Sequence, residues 1–394
     1  MKFVTLESLC SDIIDCPHST PKWLDEGIPV IRNFNLINGH IDTSNLSYVD
    51  EATYLERIKR ANPEEDDIII SREAPMGVVG MVPKGFKCCL GQRLVLLKVN
   101  RLKCSPQYLL YALLSDVVQK QINRIDLTGS IVSNLNIPDM KKLLIPVVDG
   151  DINKIGEYLN SIDENISNNN KIAQQLEAMT KTIYDYWFLQ FDFPNEEGKP
   201  YKSSGGKMVW NEELQRDIPE GWGSEKLKDV IVENPKSKIK VGDVKNIGEV
   251  PFFTSGAEIL STNDSIVSGL NCYLNTGGNA DVKYYYGDAS YSTDTWCIAA
   301  RDDMKYILPF ILDKIKPSMD KVFFQGTGLR HLQKNLLREY SLCIPDNDVL
   351  KKFEKKARDI FVQQHNLLAE NRKLESLKEF LLPLLMNGQV TVGE

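Results

Sequence analysis

Two stretches of this chain place apolar residues at alternating three- and four-residue steps, the spacing of a helix that buries a narrow stripe. In the first, Ile152, Ile155, Leu159, Ile162 and Ile166 lead to a polar break at Asn168-Asn169-Asn170, and the pattern resumes at Ile172, Leu176, Met179, Ile183 and Tyr186. In the second, Leu350, Phe353, Ala357 and Ile360 are followed by polar Gln364, then Leu367, polar Asn371, Leu374 and Leu381. Such a narrow stripe reads as a coiled-coil seam, whose polar layers cost stability but fix register and partner number. About 35 helical residues span roughly 50 Å. Pro383, a helix breaker, and Gly388, tolerant of the left-handed conformation, are expected to close the second helix. Paired antiparallel in one chain, the two helices make a rod with a folded block at each end. The alternative is two amphipathic helices packed on separate cores.

The blocks themselves carry strand composition bounded by turn residues over 28–32, 67–71 and 93–99, with a helix over 108–114. A similar series follows later, with a strand over 296–300 and a helix over 307–315. Residues 195–221, rich in Gly, Lys, Ser, Glu and Pro, read as a linker.

A duplication organises these pieces. Leu176-Glu177-Ala178-Met179 recurs as Leu374-Glu375-Ser376-Leu377, 198 positions on; Gly129-Ser130-Ile131 recurs as Gly326-Thr327-Gly328, 197 on; Ile145-Pro146 recurs as Ile344-Pro345, 199 on. Three matches on nearly one register imply a repeated unit of mixed block plus long helix. The expected class is α+β with an internal pseudo-twofold repeat. Two mixed α/β blocks at 1–150 and 222–346 are separated by a pair of long antiparallel coiled-coil helices, at 151–190 and 347–394, with the linker at 191–221.

Composition narrows the function. At 394 residues the chain exceeds one ordinary core. It has no run of 18 apolar residues, and its first residues lack an apolar signal region, so a cytoplasmic protein without a membrane span is expected. The eight cysteines form no CxxC pair and, with four histidines, no metal-ligand spacing; reduced thiols are expected, with adjacent Cys88 and Cys89 on opposite faces of a strand. The net charge of −7 is unfavourable for a nucleic-acid binder, but it is unevenly spread. Residues 1–150 hold 17 basic and 18 acidic side chains, and residues 222–346 hold 15 and 16, whereas residues 151–221 hold 7 and 13. The blocks are near neutral, which permits a basic face on each.

Catalytic motifs fail on inspection. Phe324-Gln325-Gly326-Thr327-Gly328 matches a methyltransferase glycine loop, but its repeat partner Thr128-Gly129-Ser130 does not, and no Asn-Pro-Pro-Tyr or Asp-Pro-Pro-Tyr accompanies it. Pro345-Asp346 with Glu354-Lys355-Lys356 mimics a nuclease signature, yet Glu354 and Lys356 fall on the second helix beside Phe353. No phosphate-binding P-loop is present. The reading is a non-enzyme without cofactor or metal.

Several segments resemble the specificity subunit of type I restriction-modification enzymes. The central one runs from Leu176-Glu177-Ala178-Met179 through Tyr186-Trp187-Phe188-Leu189-Gln190-Phe191-Asp192-Phe193, then Lys199-Pro200-Tyr201-Lys202-Ser203-Ser204-Gly205-Gly206 and Ile218-Pro219-Glu220-Gly221-Trp222. Leu381-Leu382-Pro383-Leu384-Leu385-Met386-Asn387-Gly388 is similar to the family's closing segment, while Pro29-Val30-Ile31-Arg32-Asn33-Phe34-Asn35 and Asp67-Ile68-Ile69-Ile70-Ser71-Arg72 look like a target-recognition domain. The resemblance implies two such domains, each reading half of a split, asymmetric site in double-stranded DNA. It also implies helices that set the unread gap, two methyltransferase subunits as partners, and ATP-dependent restriction subunits as further ones. A rod near 50 Å exceeds one DNA turn of roughly 34–36 Å. Base reading needs donors and acceptors matched to groove edges. Candidates in the first block are Arg32, Asn33, Arg72, Gln92, Arg93 and Ser130; in the second they are Thr254, Ser255, Asn275, Asn279, Thr293, Arg330 and His331. Lys283, Lys321 and Lys334 are candidate phosphate contacts. The competing reading is a coiled-coil scaffold whose end domains bind proteins.

Overall fold

A computed structural model describes residues 2–73, 75–128 and 134–392. The chain divides into two compact units, one of residues 1–166 with 374–394, the other of residues 167–373.

In the first unit, runs of apolar residues build a four-stranded antiparallel sheet ordered Cys10–Asp15, Leu94–Val99, Ile68–Ser71, Val79–Met81. Ile68, Ile69, Ile70 and Leu94 to Leu97 are fully buried, so both faces of the central strands are covered. Beside this sheet, Ile28–Ile31 pairs antiparallel with Ser47–Val49 and parallel with Cys89–Leu90. The helix Pro106–Leu114 starts where Ser105 accepts the Tyr108 amide, 3.1 Å, with Pro106 supplying the preset first turn. It packs Tyr108, Leu109 and Leu113 into the same core as Ile155, Leu159, Leu385 and Met386.

The second unit repeats this plan. Its four-stranded sheet is ordered Ile231–Glu233, Thr295–Ala300, Leu270–Asn275, Val282–Tyr286, again antiparallel. Val250–Phe253 pairs antiparallel with Ile259–Thr262 and parallel with Ser290–Tyr291. The helix Leu308–Ser318 stands where Pro106–Leu114 stands in the first unit, after the sheet's last strand. The core joins Phe310, Trp222 and Phe323 to Tyr184, Trp187, Phe188, Leu350, Phe353 and Phe361. Phe353 is its hub, with ring centroids of Phe188, Trp187, Phe310 and Tyr184 at 5.0, 5.9, 6.3 and 6.5 Å.

The long helices are Ile152–Tyr184 and Asn347–Met386. Asn168 to Asn170 do not interrupt the first one. Within the second unit the helices run antiparallel side by side. Asn371, 5% exposed, donates to Asn170, 2.8 Å, and accepts from Asn169, 3.0 Å, and Gln364 donates to the Ala173 carbonyl, 3.0 Å. Both polar layers therefore face a helix partner. Within the first unit, Lys378 meets Asp163 at 2.6 Å.

Three expectations need correction. The seam slips by one residue after Asn170: Ala173, Thr180 and Tyr184 are buried, while Ile172, Met179 and Tyr186 are 40%, 48% and 39% exposed. Pro383 lies inside the second helix; the stop is a Schellman turn, in which Gln389 donates to Leu384 and Gly388, at φ +68°, donates to Leu385. Residues 195–221 are folded. Met208–Asn211 pairs with Arg216–Pro219, Asp192 accepts from the Ser203 amide and hydroxyl, and Ile218 is 1% exposed in the second core.

All eight cysteines are free thiols. Cys88 and Cys89 point into different clusters, although the strand begins only at Cys89, and burial pushes their thiols up to about 12 and about 11. Among the described residues no helix is long and apolar enough to cross a membrane, and no group of side chains has metal-binding geometry.

Candidate nucleic-acid interface

In the first unit the candidates gather where Ile28–Ile31 and Ile68–Ser71 end and Leu94–Val99 begins. Arg57 holds this edge together. Its guanidinium, on a residue 4% exposed, donates to the Leu90 carbonyl at 2.9 and 2.7 Å, to Ser19 at 3.0 Å and to Pro17 at 3.3 Å. Gln92 then donates to the His18 carbonyl, and the Gly91 amide to Ile31, 2.7 Å, so the segments at 17–19 and 90–93 move as one. Arg93 sits at φ +67° with its side chain exposed and 3.2 Å from Glu73.

Arg32 is stacked between Trp23 and Phe34, its guanidinium carbon 5.2 and 4.7 Å from the ring centroids. Both rings are partly exposed, at 38% and 44%, and Asn33 opens the short turn Asn33–Asn35 beside them. A planar cation held between rings loses little entropy when it meets a base edge. Arg72 is different. Its guanidinium donates to Asp15, 2.9 Å, to the Leu135 carbonyl, 3.2 Å, and to Asn134, 3.2 Å, with its side chain 13% exposed. It braces the fold and has little left to offer a base. Ser130 lies outside the described residues.

In the second unit the candidates converge on one set of loops. The Asp294 carbonyl accepts from the Ser255 hydroxyl, the Thr276 hydroxyl at 2.7 Å and the Thr276 amide at 3.2 Å. Arg330 spans to the next loop, donating to Asn279, 2.9 Å, and to the Asp320 carboxylate, 3.1 Å. The Ala280 amide, and after it Arg330, hold the Asp320 carboxyl below its ordinary range. The Gly278 amide donates to the Arg330 carbonyl, 2.9 Å, and exposed His331 bridges Gly277. Asn275 is 7% exposed; its amide donates to the Asn279 carbonyl, 3.3 Å, and its oxygen has no partner among the described residues. A buried acceptor without a donor is a site where a ligand's hydrogen-bond donor would be favoured.

Two candidates prove structural. Thr254 is 6% exposed and closes its own turn, accepting from Gly256 and donating to Glu258. Lys283 is 13% exposed and neutralised by Asp281 at 3.0 Å, so it is not an open phosphate contact. Thr293 is half-buried and donates its amide to Ile239, 2.9 Å; Lys321 is exposed; Lys334 lies 4.9 Å from the Trp296 centroid. Phe324–Gln325 is a hairpin strand paired with His331–Leu332, and a Cβ at Gly326 would come within 2.7 Å of the Leu329 carbonyl. Gly326, at φ +147°, serves the tight turn between these two strands.

The sequence did not point to Arg57, because an arginine in Glu51–Ile58 looks like one of many solvated helix charges. Nor did it point to Trp23, or single out Phe34 within the segment Pro29 to Asn35, since no periodic pattern marks either ring.

Comparison with known proteins fits this layout. Residues 2–178 match the family described as "Type I restriction modification DNA specificity domain". The chain is 23% identical over 358 residues to the type I restriction enzyme MjaIX specificity subunit of Methanocaldococcus jannaschii, covering 83% of this chain and 78% of that protein. It is 21% identical over 336 residues to the type I restriction enzyme HindI specificity subunit of Haemophilus influenzae, covering 65% and 69%. Its fold matches the crystal structure of a type I restriction-modification S subunit from M. genitalium, with a TM-score of 0.60 at 16% identity over 97% of this chain and 95% of the other.

Proposed function

Because the chain carries the type I DNA specificity domain over residues 2–178 and resembles whole specificity subunits, we propose that it is the DNA-recognition subunit of a type I restriction-modification assembly. Each unit reads one half of a split site. The halves differ in sequence because the reading loops differ: Arg32, Asn33, Gln92 and Arg93 in one, Ser255, Asn275, Asn279, Thr293, Arg330 and His331 in the other. The observation that carries this reading is the repetition of one sheet plan in both units, with polar loops gathered at the strand ends of each.

The paired helices set the length of DNA left unread between the halves. Two methyltransferase subunits dock on the helices, where apolar side chains are exposed: Tyr158 and Phe380 in the first unit, Ile172 and Met179 in the second. Methylation, ATP hydrolysis and cleavage belong to the partners, and the chain works in the cytoplasm as a recognition subunit, not an enzyme.

Selection from random duplex pools tests this, with the chain assembled on its methyltransferase subunit. Enrichment of two short, unlike motifs at one fixed spacing is expected. Binding with no sequence preference would instead favour a scaffold whose end domains hold proteins.

A further inference from the structure

The segment leaving the edge strand Ile231–Glu233 runs Asn234-Pro235-Lys236-Ser237-Lys238-Ile239-Lys240 before a turn at Val241–Asp243. Exposure alternates along it. Lys236, Lys238 and Lys240 face solvent, Ser237 is buried and Ile239 is half-buried. The inward side is fastened: the Tyr291 hydroxyl donates to the Pro235 carbonyl, the Ile239 amide to the Ser237 hydroxyl at 3.1 Å, and the Thr293 amide to the Ile239 carbonyl at 2.9 Å. The lysines therefore line a fixed edge beside the turn whose Asp294 carbonyl gathers the reading loops. At about 3.3 Å per extended residue, side chains two apart leave that edge about 7 Å from one another.

This charge is uncompensated. Among the described residues, no carboxylate forms an ion pair with Lys236, Lys238 or Lys240. More positive charge lies next to Lys236: Lys334, which feels the Lys236 charge, and Arg338 lie 4.9 and 5.5 Å from the Trp296 centroid, and Glu233, the nearby carboxylate, is already bonded to Arg338 at 2.7 Å and to the Trp296 indole at 2.9 Å. Burial first, then the positive charges of Arg338 and Lys236, hold the Lys334 ammonium below its ordinary range against the pull of Glu233. Like charges this close repel one another, and a line of anions would relieve that repulsion. In the first unit, the segment leaving the equivalent edge strand, residues 16–22, carries His18 and Lys22, and His18 lies 2.9 Å from Asp15.

We propose that Lys236, Lys238 and Lys240 form a rail for the phosphodiester backbone of duplex DNA along the rim of the second unit's reading loops. The proposal rests on the DNA-recognition reading above, and deepens it by assigning the backbone contact to one segment.

The test is the triple variant Lys236→Gln, Lys238→Gln, Lys240→Gln, in the full chain assembled with its methyltransferase subunit. Binding is measured to a duplex of the enriched sequence and to a scrambled duplex. Each lost phosphate contact lowers the slope of log affinity against log salt by about 0.9, so the slope should flatten by about 2.7. From about 50 to about 200 mM salt, the variant then loses about forty-fold less affinity than the wild type. The loss at low salt should be equal on both duplexes, since phosphate contacts carry no sequence information, and the triple arginine variant should restore the slope. An unchanged slope with selective binding intact overturns the rail and leaves DNA recognition standing. An unchanged slope with weakened capture of the methyltransferase subunit assigns the lysines to a protein contact and also overturns it. A wild-type complex without duplex preference removes the underlying reading and the rail with it.

Discussion

Replacing Asp163 with alanine is expected to destabilise the first unit by about 3–5 kcal/mol, the cost of removing one partner from a buried ion pair. Asp163 is 5% exposed and accepts from Lys378 at 2.6 and 2.8 Å and from the Tyr111 hydroxyl at 2.7 Å, with His40 at 3.5 Å. The variant leaves Lys378, 17% exposed, and a buried phenol without their shared acceptor. Asp163 lies on the first long helix and Lys378 on the second, so this contact clamps the helix pair where it meets the helix Pro106–Leu114. Burial pushes the Asp163 carboxyl up, but the bonds from His40, Lys378 and Tyr111 together outweigh it and hold the group below its ordinary range. The sign follows. A carboxyl depressed in the folded state adds stability that is complete above its unfolded value of about 3.9 and is lost as pH falls through the folded value. Urea unfolding should show Asp163→Ala losing most at pH 7, with the gap to wild type narrowing in acid below about pH 4. A constant gap would mean that the charge is not the cause.

Arg57→Ala is expected to cost about 4 kcal/mol, because charge-assisted bonds contribute about 1.5–3 kcal/mol each and abandoned buried acceptors are costly. Four hydrogen bonds to three backbone carbonyls disappear together. Arg57→Lys should recover less than half, since an ammonium lacks the planar fork that reaches Leu90 and the 17–19 segment at once. Hydrogen exchange should quicken at residues 17–19 and 90–93 while the second unit keeps its protection. Uniform loosening of both units would contradict the assigned role.

The helices were legible because burying one stripe of a helix imposes a period that sequence must obey. Ile155, Leu159, Phe353 and Ala357 lie buried where that period places them. The slip after Asn170 was hidden because Ala173 and Thr180 are too small or too polar to register as apolar marks. Likewise the repeat was visible only near its end. Leu144 to Ser341 is 197 positions and Leu94 to Thr295 is 201, close to the offsets of the sequence matches, but Ile28 to Val250 is 222. The first unit has extra chain around the Leu36–Ile41 hairpin and the helix Glu51–Ile58, which moves the earlier strands out of register. Candidate readers were found by residue type alone, which cannot separate Arg32, stacked between two rings, from Arg72, spent on Asp15 and Asn134. That distinction depends on partners far away in sequence.

If the paired helices determine the distance between two independent readers, that distance must follow their length. Seven residues inserted after Asn170 and seven before Asn371, side chains that face each other at 2.8 Å, extend both helices by about 10 Å. Two turns nearly preserve the buried face. At about 3.4 Å per base pair, selection with the assembled complex should return the same two motifs with about three more base pairs between them. Altered motifs, or an unaltered gap, would contradict it.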